Sequence, residues 1–254
     1  MRKRKSIAIA LIAAMTIGIA GCSERGNTSK EEPTSTHARL GEGRIMGQWS
    51  GIYTFREAVE TADLIVDVTI IEWLGESTES ERDRIGRDTY FLAKVNQVIK
   101  GEAPDTIVVV QHGDSSATNV YDALYGIDNR LFLFLYEMPY DYLKKAIEEG
   151  KDAEAYDVEY ENAYESVGMF QTSFNIQRYR GETYLLSRYN HGIVTTMTTD
   201  VDLKTREAIV NELIKEDPFI GEWLKEDSEG VFGYAFSYDK IVERINKMLE
   251  EKTP

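Results

Sequence analysis

Leu64, Val66, Val68 and Ile70 alternate with Ile65, Asp67, Thr69 and Ile71. A period of two is the mark of a β-strand, because successive side chains leave opposite faces of the backbone. One face is wholly aliphatic and the other mixed, so this strand is expected to be buried on one side and partly covered on the other. Phe91, Ala93 and Val95 repeat the pattern, which then shifts around Asn96 and Gln97 so that Val98 and Ile99 follow together. The shift predicts a bulge in a strongly bent strand. A third strand, Thr106 to Gln111, follows a Lys100-Gly101 turn. Just before the first strand, Thr54 and Glu57 have capping-box spacing, and Phe55 and Val59 give the short helix they start one apolar face. The rest of the chain is organised around Thr54 to Gln111.

Beyond it, Arg130-Leu-Phe-Leu-Phe-Leu-Tyr136 is too apolar for an exposed edge and reads as a central or closing strand. Asp141 to Glu165 carries nine acids against three lysines with tyrosines interspersed, and predicts a helical, acidic insertion over about 139–166. Within it Tyr156, Tyr160, Tyr164, Glu159 and Glu161 form a candidate interaction surface; the alternative is a solvated helix face. Met169 to Tyr179, Thr183 to Tyr189 and Ile193 to Thr199, separated by Arg180-Gly181-Glu182 and Asn190-His191-Gly192, read as an antiparallel meander. Asp202 is placed to cap a helix running to about Lys215, and Ser237 to cap a last helix with a stripe of Tyr238, Ile241, Val242, Ile245 and Leu249. Trp223, Phe232, Tyr234 and Phe236 lie between these helices, as groove lining or as anchors of the linker.

The first residues point to an address. Arg2-Lys3-Arg4-Lys5 precedes an apolar run, Ile7 to Ile19, that is short for a membrane span, and small residues lead to Cys22, the single cysteine. Residues 1–21 are expected to be a signal peptide. Ile19-Ala20-Gly21-Cys22 resembles the bacterial lipobox, which implies cleavage before Cys22 and a diacylglyceryl thioether on its sulfur. Residues 22–50 lack apolar periodicity and are expected to be a disordered tether, His37 included. Without the signal, 25 Lys and Arg face 44 Asp and Glu, a net charge near −19. Such a surface disfavours nucleic acid and direct adhesion to anionic headgroups, since both need cationic surface.

The Ala62-Asp-Leu-Ile-Val66 start of the first strand, the second strand ending Val98-Ile-Lys-Gly101, and Ile107-Val-Val-Val110 resemble a family of bacterial surface lipoproteins. More distantly they are similar to the netrin-like module of tissue inhibitors of metalloproteinases. The likeness spans Ala62 to about Tyr136 and implies an OB-like antiparallel barrel and a Gram-positive membrane. The animal inhibitors chelate their target's zinc through a free N-terminal cysteine. Here the lone cysteine would be acylated and a tether away, so that mechanism does not carry over.

His112-Gly113-Asp114-Ser115-Ser116 is the one stretch where catalysis is worth weighing. Strand then Gly-Asp-Ser resembles the first block of the SGNH esterases, whose serine is the nucleophile. That family draws base and carboxylate from an Asp-x-x-His near the C-terminus, and the sequence contains none: Val109 and Arg188 stand three before His112 and His191. There is no calcium-loop spacing and no His-Glu-x-x-His. The expectation is therefore a mainly-β, OB-like domain over 51–200 with helices packed on it from 201–254. It is anchored to the membrane through Cys22 on the extracytoplasmic face and acts as a non-catalytic binding module with a protein or cell-wall partner, without cofactor, metal or nucleic acid. An esterase using Ser115 and a purely structural envelope component are the alternatives.

Overall fold

The computed structural model describes residues 43–45, 53–76, 88–113, 117–119, 124–138, 163–188, 194, 196–197, 199–216 and 234–251. Helix α1 (Phe55–Thr61) opens with the expected capping box: the Glu57 amide donates to Thr54 Oγ1 at 3.2 Å, and the Thr54 amide to Glu57 Oε2 at 2.8 Å. It leads into β2 (Leu64–Glu76), which pairs antiparallel with β3 (Asp88–Lys100). Their register breaks four times, at Ile65/Val66, Asp67/Val68, Ile70/Glu72 and Trp73/Gly75. Each extra residue adds twist and bend, and four in one ribbon coil it enough to close on itself. The irregularity between Asp67 and Val68 leaves Asn96 unpaired, where the loss of alternation places it. Val68 and Val95 are direct cross-strand partners and share one apolar cluster.

The circuit continues through β4 (Thr106–His112), β6 (Arg130–Glu137) and β7 (Ala163–Ser166). Strand order is β6-β2-β3-β4-β7, with β7 returning to β6. Only the β4–β7 pairing among these is parallel. This is a closed five-stranded barrel of OB-like type, antiparallel but for that pair. Its interior is filled by Leu64, Val66, Val68, Ile70, Phe91, Val109, Leu131, Leu133, Leu135 and Tyr164 among others. A separate two-stranded parallel ribbon joins β1 (Gly43–Ile45), within the stretch expected as tether, to β5 (Ala117–Asn119).

Strand β6 is the pivot, buried from Leu131 to Leu135 as its sequence implies. Along one edge its C-terminal half pairs with β7 and its N-terminal half with β8 (Ser173–Tyr179), which extends the sheet through β9 (Glu182–Ser187) to β10 (Ala235–Ser237). A 3-10 turn, Met169–Thr172, precedes β8. The β8–β9 hairpin turns through Arg180 and Gly181, both at positive φ (53° and 87°), as a two-residue reversal between twisted strands requires. On the barrel's outer face Ile65, Phe132, Phe134, Phe174, Ile176, Leu185 and Phe236 form a second core. It is covered by α1 and by the last helix, α3 (Tyr238–Glu250), through Tyr238, Ile241 and Ile245. Helix α2 (Leu203–Glu216) packs Ile209, Val210 and Leu213 on the opposite face of the extension, against Tyr184, Leu186 and Ala235. Asp202 caps it, accepting from the Thr205 amide at 3.0 Å.

Three expectations are corrected. The end of the expected helical insertion is strand β7, because Tyr164 alternates into the barrel while Ala163 and Glu165 face outward. The third meander strand is absent from the described part of Ile193 to Thr199, where Val194 and Thr196 lie in a 3-10 turn; β10 takes the place beside β9. Ser237 stands at the N-cap position of α3 but its hydroxyl makes no cap bond. Of the four aromatics between the helices, Phe236 is fully buried and Tyr234 stacks on it at 6.4 Å, while Trp223 and Phe232 lie outside the described residues.

The Asp63 and Lys100-Gly101 pattern has a structural cause. Lys100 Nζ donates to the carbonyls of Val59 (2.8 Å), Glu60 (3.3 Å) and Ala62, collecting acceptors that the end of α1 leaves open. Gly101 sits at φ +83° with the Asp63 carbonyl so close that a Cβ would lie 2.4 Å from it. The Asp63 carboxylate accepts from the Glu137 amide at 3.0 Å. Together these lock helix, β2, β6 and the β3–β4 turn at one barrel end.

Candidate functional site

A chain of titratable side chains converges on the barrel's outer face. Register puts Asp88, the first residue of β3, opposite His112, the last of β4. The parallel pairing aligns Glu165 with Val110, two residues before His112, so the two side chains share a face. Tyr136 of β6 is the direct partner of Glu165. Four adjacent strands thus each contribute one polar group to a belt, Asp88–His112–Glu165–Tyr136.

The contacts are short. His112 Nδ1 lies 2.6 Å from Asp88 Oδ1 and Nε2 lies 2.6 Å from Glu165 Oε1; Tyr136 donates its hydroxyl to Glu165 Oε2. Side-chain exposure falls from 31 % at Asp88 to 25 % at His112 and 12 % at Glu165. Burial works against the charged imidazole. Hydrogen bonds and charges from the two carboxylates outweigh it and raise the His112 pKa from 6.5 to about 10. The ring is therefore an imidazolium at neutral pH, with both N–H groups donating. Burial and the Glu165 bond raise the Tyr136 phenol, which stays protonated.

This arrangement excludes one chemistry and permits another. A general base needs an open ring nitrogen and a pKa near the working pH, and His112 offers neither. It is a cation clamped between carboxylates, a polar rivet across the strands that close the barrel. Thr89 Oγ1 donates to the Gly113 carbonyl at 2.6 Å; Ser115 itself lies outside the described residues. Among the described residues no group of His, Cys, Asp and Glu is arranged to hold a metal ion.

A second polar cluster lies between barrel and α3. Asp67, fully buried, receives Arg130 in bidentate fashion (Nε 2.9 Å, Nη2 2.6 Å) and Asn96 Nδ2 at 3.0 Å, and Tyr238 Oη lies 3.2 Å from its Oδ2. Burial, then the Asp67 charge, pushes the Tyr238 phenol up. Every partner is a fold element, so the cluster ties the bulged β3 and the last helix to β2.

Of the residues singled out from sequence, Tyr164 is 7 % exposed inside the barrel and is not part of an interaction surface. Tyr156, Tyr160, Glu159, Glu161, Cys22, Ser115, His37 and His191 lie outside the described residues. The belt was missed because its members carry misleading local context: Asp88 ends a charged gap, His112 borders a turn and Glu165 ends an acidic run. The usable signal was parity, since Val108, Val110 and His112 share one side of β4.

No protein-family model matches the chain, and no curated protein or solved structure is similar enough to count as a match.

Proposed function

We propose that this chain is a lipid-anchored, extracytoplasmic protein whose OB-like domain serves as a non-catalytic binding module of the cell envelope. The observation that carries the non-catalytic reading is the saturation of His112. Both ring nitrogens face carboxylates at 2.6 Å, so the imidazole nearest in sequence to Ser115 is not free to activate it. The anchor rests on sequence: four basic residues, the Ile7 to Ile19 run and the lipobox-like Ile19-Ala20-Gly21-Cys22. Acylation at one cysteine with two chains is what stable attachment requires. A Gram-positive membrane is the setting that the resemblance to bacterial surface lipoproteins favours. The acidic surface suits a tethered domain that must stay soluble beside a membrane.

Two measurements test this. Cys22→Ser should move the protein from the membrane fraction to the soluble fraction, and retention of the processed variant would remove lipidation as the sole attachment. A fluorophosphonate probe, which labels only activated serines, should leave the protein unlabelled. Stoichiometric labelling lost in both Ser115→Ala and His191→Ala would replace the binding module with an esterase.

A further inference from the structure

The barrel has two distinct ends. At one, α1, Asp63 and the Lys100-Gly101 turn are locked together. At the other, β2 finishes, β3 begins and β4 finishes: Glu76 stands opposite Thr89, and Asp88 opposite His112. Strand β5 starts at Ala117, a few residues after His112, so it belongs to this second end. Here β1 is fastened, with Gly43 against Ala117, Arg44 against Thr118 and Ile45 against Asn119.

This pairing decides where the chain arriving from Cys22 meets the domain. Without it, the first fastening in chain order is the capping box of Thr54 and Glu57 on α1, at the first end. With it, the fastening moves to the second. The chain is long enough for this: from Ile45 to Tyr53 it spans at most about 26–29 Å, and β4, Thr106–His112, measures about 23 Å at the rise of a strand.

The reach of the preceding stretch turns attachment into orientation. From Cys22 to Gly43 the chain extends about 25 Å at coil dimensions, whereas a domain of about 200 residues is about 40 Å across. A fastening held nearer to the bilayer than one domain diameter makes its own end the nearer one. We propose that the β1–β5 ribbon orients the domain on its anchor, turning the barrel end where β2 meets β3 toward the membrane and leaving the α1 end to face an extracytoplasmic partner. The anchor at Cys22 is the reading on which this rests; the ribbon supplies the direction. Because the ribbon lies outside the eight-stranded sheet, it can be broken without opening the barrel.

The test uses the full, acylated chain in vesicles. Cys22 is the only cysteine and its sulfur carries the lipid, so an introduced cysteine is the one free thiol. Glu76→Cys at the second end and Glu102→Cys beside Gly101 at the first remove the same charge and carry a donor fluorophore; the vesicles contain an acceptor-labelled lipid. Energy transfer from Glu76→Cys should exceed that from Glu102→Cys about twofold or more, for heights of about 25 Å and about 50 Å above the lipid. Adding Arg44→Pro and Ile45→Pro removes the ribbon's pairing. The barrel should then keep its circular-dichroism spectrum, while the two transfers become equal or reverse their order. Vesicle flotation reports the anchor separately. Equal transfer from both sites in protein that floats overturns the orientation and leaves the anchor standing. A ratio unchanged by the two prolines overturns the ribbon as its cause, and protein that does not float overturns the anchor and the orientation with it.

Discussion

The clamped imidazolium makes stability depend on pH with a sign opposite to that of a carboxylate-dominated protein. His112 has a folded pKa of about 10 against 6.5 unprotected, so between those values the folded state keeps a proton that the unfolded chain releases. Its stabilisation is complete below pH 6.5 and is lost as pH rises through 10. At about 1.4 kcal/mol per pH unit, the loss from pH 7 to pH 9 is about 2–3 kcal/mol. Solvent at the exposed quarter of the ring makes this an upper limit. For a domain of this size, it lowers the melting temperature by about 5–10 °C. Replacing His112 with Gln keeps a hydrogen-bonding side chain but removes the cation. The variant should melt lower at pH 7, and its melting temperature should change little from pH 7 to pH 9. Thermal unfolding followed by circular dichroism at pH 7, 8 and 9 and fixed ionic strength measures both. Parallel decline of wild type and His112→Gln over this window would refute the argument, because the proton would then be lost elsewhere.

Two further substitutions probe how the barrel is held. Gly101→Ala should cost about 2–5 kcal/mol, combining positive-φ strain with the Asp63 carbonyl overlap, whereas Gly181→Ala, at a similar φ of +87° with nothing within 4 Å of the new Cβ, should cost only about 1–2 kcal/mol; equal losses in chemical denaturation would show that the close approach does not matter. Arg130→Met strands the buried Asp67 carboxylate and should cost about 3 kcal/mol, at the low end for a broken buried pair because Asn96 still donates to it. Adding Asp67→Asn should return at least half of that loss, and a double variant no more stable than Arg130→Met would contradict the assignment.

Legibility in the sequence tracked how local the cause was. The capping box at Thr54 and Glu57, the Asp202 cap and the alternation of β2 are set within a few residues and could be read directly. The bulge at Asn96 was legible because a register change appears in the apolar pattern itself. Strand β7 was not: four residues at the end of an acidic run have no period of their own, and they are a strand only because β4 and β6 leave facing edges that a fifth strand must fill. The same holds for β10, a three-residue strand defined by its partner β9. Lys100-Gly101 was visible as a pattern, but its reason, helix carbonyls and a peptide some forty residues earlier, lies in the fold. The belt required knowing that β4 and β7 run parallel, and nothing in either strand's residues states that.

Strand β6 serves two cores at once, with Leu131, Leu133 and Leu135 turned into the barrel and Phe132 and Phe134 into the layer beneath α1 and α3. A protein with separate apolar clusters would ordinarily be free to melt in more than one step. Here the barrel cannot open along β6 without stripping the backing from the aromatic layer, and the β8–β10 extension cannot detach without exposing the edge on which the barrel closes. The partition yields one cooperative transition rather than two. Because β6 reaches β2 only after some sixty residues of intervening chain, that transition carries the loop-closure entropy of a distant pairing and should fold slowly for its size.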